Sequence, residues 1–217
     1  MLGREVGIEI PDQDPANAER ASVREQLWQV LEFASRSFRT WFDGSLAQSY
    51  VTEQRQIPGE MIDIFGLGYG GKGWSSLASH TTNSQPEWMS LMEQVGLIQP
   101  GRSNGEYIDR FRERLIFPIR DARGRVVGFG GRLLADQQDA AKYLNSPDSV
   151  AFDKGSLLYG LYEAQGSLRK KQFAVLVEGY LDVVSCHAAG MDTAVASLGT
   201  ALTERQVLLL KRYVPEV

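Results

Sequence analysis

Glu178, Gly179 and Asp182 are the residues best placed for chemistry in this chain. They follow the apolar run Phe173-Ala-Val-Leu-Val177. Such a run, with charge before it and glycine after it, reads as a buried strand of a parallel sheet. Open α/β sheets hold their ligands beyond the carboxyl ends of the strands. Glu178 therefore stands on the edge where chemistry is done, with Gly179 making room behind it and Asp182 one helical turn later. The plain alternative is a surface carboxylate at a strand end, and spacing alone does not separate the two readings.

A second group is basic. Residues 101–132 carry eight arginines against four acids, although the whole chain has a net charge of −4. Arg110, Arg112, Arg114, Arg120, Arg123, Arg125 and Arg132 flank a hairpin pattern. If its first strand extends far enough, period-two alternation puts Arg110, Arg112 and Arg114 on one face. A solvated charged face is one reading; a surface that tracks phosphates is the other. Gly128-Phe-Gly130-Gly131 would let another backbone or a nucleic-acid strand approach closely. Lys142-Tyr143-Leu-Asn145 and Lys154 follow, and two lysines around a Tyr and an Asn could grip a triphosphate or a template strand, or be ordinary loop residues. Gly66-Leu-Gly-Tyr-Gly-Gly71-Lys72-Gly73 nearly matches a phosphate-binding loop. It lacks the hydroxyl residue after the lysine and follows a helix where a strand is required. It reads instead as a glycine-rich turn packing Tyr69 and Trp74 into the core.

These residues need elements to hold them. Residues 1–21, with Pro11 and Pro15, read as a tail or linker. Ser22 and Glu25 make a capping box. The helix after them lines up Leu27, Val30, Leu31, Ala34, Phe38, Trp41 and Phe42 on one face. A short helix spans 60–65. Residues 75–105 read as helical packing with a polar loop at 99–105. Leu115-Phe117-Ile119 and residues 126–134 form a β-hairpin around a turn at 121–124. A helix at 157–170 has a basic end that suits its dipole. A helix from Leu181 ends near Gly190, Thr193 to Ala196 is a strand, and Thr203 with Gln206 opens a last capped helix.

With 217 residues, 43% hydrophobic and 23% charged, the composition is that of a globular protein of one or two domains. No apolar run is long enough for a bilayer, and the first residues lack the apolar core of a secretory signal. A single cysteine, Cys186, excludes an internal disulfide and a Cys-rich zinc site. It reads as a small core residue in a protein of the cytoplasm.

Six strings, in order, carry a resemblance. They are Phe65-Gly-Leu-Gly-Tyr69, Arg110-Phe-Arg-Glu-Arg-Leu-Ile-Phe-Pro-Ile-Arg-Asp121, Gly124-Arg-Val-Val-Gly-Phe-Gly-Gly-Arg132, Lys142-Tyr-Leu-Asn-Ser-Pro147, Leu158-Tyr-Gly-Leu-Tyr-Glu-Ala164 and Val177-Glu-Gly-Tyr180. Together they resemble the RNA polymerase core of bacterial DnaG-type primases, and the stretch from Val177 resembles the start of its Toprim domain. The resemblance implies synthesis of RNA primers from ribonucleoside triphosphates on a single-stranded DNA template, with Mg2+ or Mn2+. It implies catalytic and metal-binding roles for Glu178 and Asp182. It implies template or nucleotide binding for Arg55, Arg132, Lys142, Tyr143, Asn145 and Lys154, to which the arginine pattern adds Arg110 and Arg112.

Two positions depart from the family pattern: Gln56 stands where glycine is usual, and Asp153 where histidine is common. The family's later Asp-x-Asp strand, its zinc module and its helicase-binding domain have no counterpart in these residues. The expectation is a fragment that binds metal poorly and does not polymerise alone, with zinc and the replicative helicase belonging to missing parts. Rival readings are another Toprim enzyme, such as a topoisomerase or recombination protein, and a non-catalytic single-strand-binding module. The expected fold class is α/β: a mixed α/β subdomain over 22–170, then the first βαβα part of a Toprim domain over 171–217 with an open sheet edge.

Overall fold

The computed structural model describes residues 15–103, 105–134, 140–199 and 201–215, with side chains from residue 21. The first helix, α1, runs from Pro15 to Thr40. It starts before the expected Ser22 cap, which is therefore an interior helical residue. Ala16, Ala18, Glu19 and Ala21 are favourable helix formers, and proline is tolerated in a first turn. The linker reading of 1–21 thus fails from Pro15 onward, and residues 1–14 lie outside the described residues.

After α1 come α2 (Leu46–Ser49), a π-turn (Tyr50–Gln54), α3 (Gly59–Phe65) and β1 (Gly68–Tyr69). Gly66 closes α3 in the left-handed region at φ 63. Residues 75–105 hold α4 (Ser76–Ser84), α5 (Met89–Gln94) and β2 (Ile98–Pro100). β2 pairs antiparallel with β3 (Tyr107–Asp109), so part of the expected polar loop is one arm of a hairpin.

β4 (Arg114–Arg120) and β5 (Val126–Leu133) form the expected hairpin at the centre of an antiparallel sheet ordered β1-β4-β5-β6, where β6 is Tyr143–Asn145. Both faces of the hairpin are covered. Leu115, Phe117 and Ile119 share one core with Phe65, Tyr159, Tyr180 and Val184. Ile116 and Phe129 share another with Leu27, Leu31 and Phe38 of α1 and Met92 of α5. The chain then forms α6 (Leu161–Lys171), β7 (Val175–Val177), α7 (Tyr180–Ala188), β8 (Ala194–Ala196) and α8 (Glu204–Leu210). β7 and β8 pair in parallel. Thr203 and Gln206 make the expected reciprocal cap.

The structure departs from the residue pattern at two places. β7 is not fully buried: Leu176 is 38% exposed, because among the described residues β7 pairs only with β8. Nor do Arg110, Arg112 and Arg114 share a strand face, since residues 110–113 are a turn between β3 and β4. One core also joins the two parts of the chain, since Tyr180, Val183 and Ala196 pack with Phe117 and Tyr69. Arg120 of β4 adds a 2.5 Å ion pair to Glu163 of α6, both largely buried.

Candidate catalytic and nucleic-acid site

The acidic pair sits where the residue pattern places it. Glu178 follows the C-terminal end of parallel strand β7, Gly179 is the N-cap of α7, and Asp182 is in its first turn. Both carboxylates are exposed. A helix N-terminus favours negative charge, so the local backbone suits a carboxylate pair at this position. Among the described residues no three or more His, Cys, Asp or Glu side chains cluster as a metal site.

The basic group is more ordered than its composition suggests. In the β5–β6 register Arg132 lies opposite Tyr143. Its Nη1 donates to the Tyr143 hydroxyl at 2.6 Å, and the guanidinium lies 5.4 Å from that ring and 4.9 Å from the ring of Tyr50. Arg55 donates from Nε to the Tyr50 hydroxyl at 2.7 Å and lies 5.3 Å from the same ring. The result is a ladder Arg55–Tyr50–Arg132–Tyr143. Residues five apart do not face each other on an α-helix. The π-turn, closed by Arg55 N–H to Tyr50 carbonyl at 3.1 Å, brings them together. Sequence reasoning found three rungs and missed Tyr50 for that reason. Gln56 adopts φ 53, in the left-handed region that glycine enters freely and a residue with a side chain at a cost of about 1 kcal/mol.

The remaining basic residues divide. Arg114 is buried and donates to the carbonyls of Gly131 and Lys142, both at 3.3 Å. Burial, with Arg112 and Arg110 nearby, pulls its pKa down. Arg112 lies 4.4 Å from the ring of Trp74, and Arg110 is half-buried. Trp74 is 69% exposed, contrary to the core position expected for it. It borders a groove of ≈ 980 Å³ between α4 and the β2–β3 hairpin. Lys142 is exposed beside Tyr143. Lys154 opens a short helical turn capped by Asp153, whose Oδ1 accepts from Gly155 N–H at 3.0 Å. Asp153 also pairs with Arg205 at 2.5 Å. Slight burial works against it, but Arg205 and the Gly155 N–H hold its carboxyl below the usual range.

The glycine-rich loop is no phosphate cradle. The N-terminus of α4 behind it is filled by Asp109, which accepts from Leu77 N–H at 2.6 Å and Ala78 N–H at 2.9 Å. Burial raises the Asp109 pKa to about 6 against the pull of those N–H groups and Arg112. A carboxyl with a raised folded pKa adds stability when protonated and loses it as pH rises from its unfolded value toward 6. Relative to Asp109→Asn, the wild type should therefore gain about 2 kcal/mol on going from pH 7.5 to pH 4.5. Urea unfolding of both proteins at the two pH values checks this; a constant difference would contradict it.

Asn145 is engaged at both ends within the protein. Its Oδ1 accepts from the Tyr180 hydroxyl at 2.7 Å and its Nδ2 donates to the Leu198 carbonyl at 3.0 Å. Gly128, Gly130 and Gly131 admit side chains, not a nucleic-acid strand: a Cβ on each would meet Phe152, Tyr180 and Phe111 respectively.

Residues 38–165 match the family described as DNA primase catalytic core, N-terminal domain, and residues 175–217 match a Toprim-like family. The chain belongs to the DNA primase catalytic core family. It is 46% identical over 195 residues to the DNA primase of Synechococcus elongatus, covering 88% of this chain and 28% of that protein. It is 39% identical over 214 residues to the DNA primase of Escherichia coli, covering 94% and 35%. The chain thus spans about a third of the length of these curated relatives. A solved DnaG primase catalytic domain bound to single-stranded DNA superimposes with a TM-score of 0.81 at 37% identity, covering 91% of this chain and 63% of that one. Among the described residues no helix is long and apolar enough to cross a membrane.

Proposed function

We propose that this chain forms the template- and nucleotide-binding part of a primase that joins ribonucleotides on single-stranded DNA. The observation that carries the reading is a shared face. In the β4–β5–β6 register, Leu115–Arg132–Tyr143 is one cross-strand row and Phe117–Gly130–Asn145 is the next on the same side. Tyr180, two residues after Glu178, packs on that second row. The arginine–tyrosine ladder and the acidic turn therefore belong to the same side of one sheet. The relative solved with single-stranded DNA supports the template reading.

In this reading Arg55, Arg132, Lys142 and Lys154 hold phosphates. Arginine does so through two parallel N–H donors, and lysine as a point charge. Tyr50 and Tyr143 keep the guanidinium planes in place. Trp74 with Arg112 and Arg110 offers a stacking platform beside positive charge, as single-strand binding needs. Glu178 and Asp182 fit magnesium or manganese, which is commonly held by one or two carboxylates together with substrate phosphates. A bound ion would neutralise charge developing on the triphosphate. With two exposed carboxylates the chain alone should hold magnesium weakly, on the order of 1 mM, and should make no primers. Tight magnesium binding by calorimetry, or primers made by the pure chain, would overturn that.

The direct test is binding of a fluorescent single strand across a salt series. Affinity should fall steeply with salt, and Lys142→Ala should lower the slope of log K against log salt by about 0.7. Tight binding that is insensitive to salt, or an unchanged slope in the variant, would place the track elsewhere.

A further inference from the structure

We infer that Tyr180 is a positioning residue, which through Asn145 sets the Glu178–Asp182 turn at a fixed distance from the arginine–tyrosine ladder. The inference rests on the nucleotide and metal reading of those two groups. Tyr180 lies across a whole cross-strand row. Its ring stacks on Phe117 with centroids 5.0 Å apart and planes 14° apart. A Cβ on Gly130 would stand 2.5 Å from the same ring, so only glycine leaves space for it there. Its hydroxyl ends on Asn145, the third residue of the row, at 2.7 Å. Tyr159 closes the ring from the side, with centroids 4.8 Å apart and planes perpendicular.

The adjacent row carries Arg132 and Tyr143. Rows on one face of a sheet are two residues apart, about 7 Å. The first residue of α7 is thus pinned one row from the ladder, and Glu178 and Asp182 flank that residue in sequence. Asn145 adds a second tie: its Nδ2 bond to the Leu198 carbonyl links β6 to the segment after β8. A buried tyrosine hydroxyl needs a partner, and here the partner is the one polar side chain of the row. Asn145, expected to touch nucleotide, spends both ends of its amide on this link.

The function of such a link is coupling. A nucleoside triphosphate carrying a divalent ion reaches both groups when their separation suits it; the bare triphosphate needs only the ladder. The experiment measures ATP affinity of the 217-residue chain by calorimetry, with Mn2+ and with EDTA. Wild type, Tyr180→Phe, Asn145→Ala and Glu178→Gln are compared. Tyr180→Phe keeps the ring against Phe117 and Gly130 and removes one hydroxyl. Asn145→Ala breaks the same link from the strand side, so either variant decides the matter.

In the wild type Mn2+ should tighten ATP by about fivefold, and Glu178→Gln should abolish the gain. Tyr180→Phe and Asn145→Ala should both cut the gain below about twofold, and in Tyr180→Phe the metal-free affinity should stay within about twofold. A purely structural role would lower both affinities together or neither, and either result overturns the inference. A gain lost in Glu178→Gln but kept in Tyr180→Phe and Asn145→Ala refutes the link alone. No gain in the wild type refutes the metal reading, and the inference falls with it.

Discussion

Arg132→Ala is expected to weaken single-strand and triphosphate binding by about tenfold or more at moderate salt. Arg132 is the one guanidinium that touches two tyrosines of the ladder. Removing it takes away a phosphate donor and leaves Tyr50 and Tyr143 without their shared partner. The lost cation–π contacts should also cost about 1 kcal/mol of stability at this half-exposed position. Arg132→Lys separates charge from shape. Lysine restores a positive charge, so the salt slope should recover. It lacks the planar fork that donates to Tyr143 and stacks between rings, so most of the affinity should stay lost. Fluorescence anisotropy across a salt series reads both quantities. Unchanged affinity in Arg132→Ala would remove the ladder from the binding surface.

Phe117→Ala is expected to be the most damaging single change to the fold, at about 3–5 kcal/mol. Phe117 is fully buried in the central hairpin and contacts the rings of Tyr159 and Tyr180. Its loss opens a cavity where the two parts of the chain share one core, and the row beneath Tyr180 keeps only Gly130 and Asn145. Domains of this size are stable by about 5–15 kcal/mol in total, so the variant should sit close to unfolding. Urea denaturation gives the value, and Phe117→Leu should recover more than half of it, since leucine refills most of the space. A loss below about 1 kcal/mol in Phe117→Ala would mean that the two parts do not depend on this contact.

Read alone, the sequence determined the features set by neighbours along the chain. The β4–β5 hairpin followed from alternation and a turn-forming stretch, and α3 was legible as a short helix over 60–65. The start of α8 followed from a threonine and a glutamine three residues apart, and the acidic turn from an apolar run ending in glutamate and glycine. Each of these signals acts over a few residues, so composition and spacing carry it. Tertiary structure decided which of those residues meet. It made Arg114 a buried brace and left Trp74 in solvent. It filled the N-terminus of α4 with a carboxylate more than thirty residues away in sequence. It turned Tyr50 toward Arg55 through a π-turn that helical spacing does not foresee. It also spent Asn145 on Tyr180, 35 residues distant. These outcomes depend on strand order and on which face of a sheet a helix covers. Both are settled by burying apolar area across the whole chain, so no local pattern in the sequence records them.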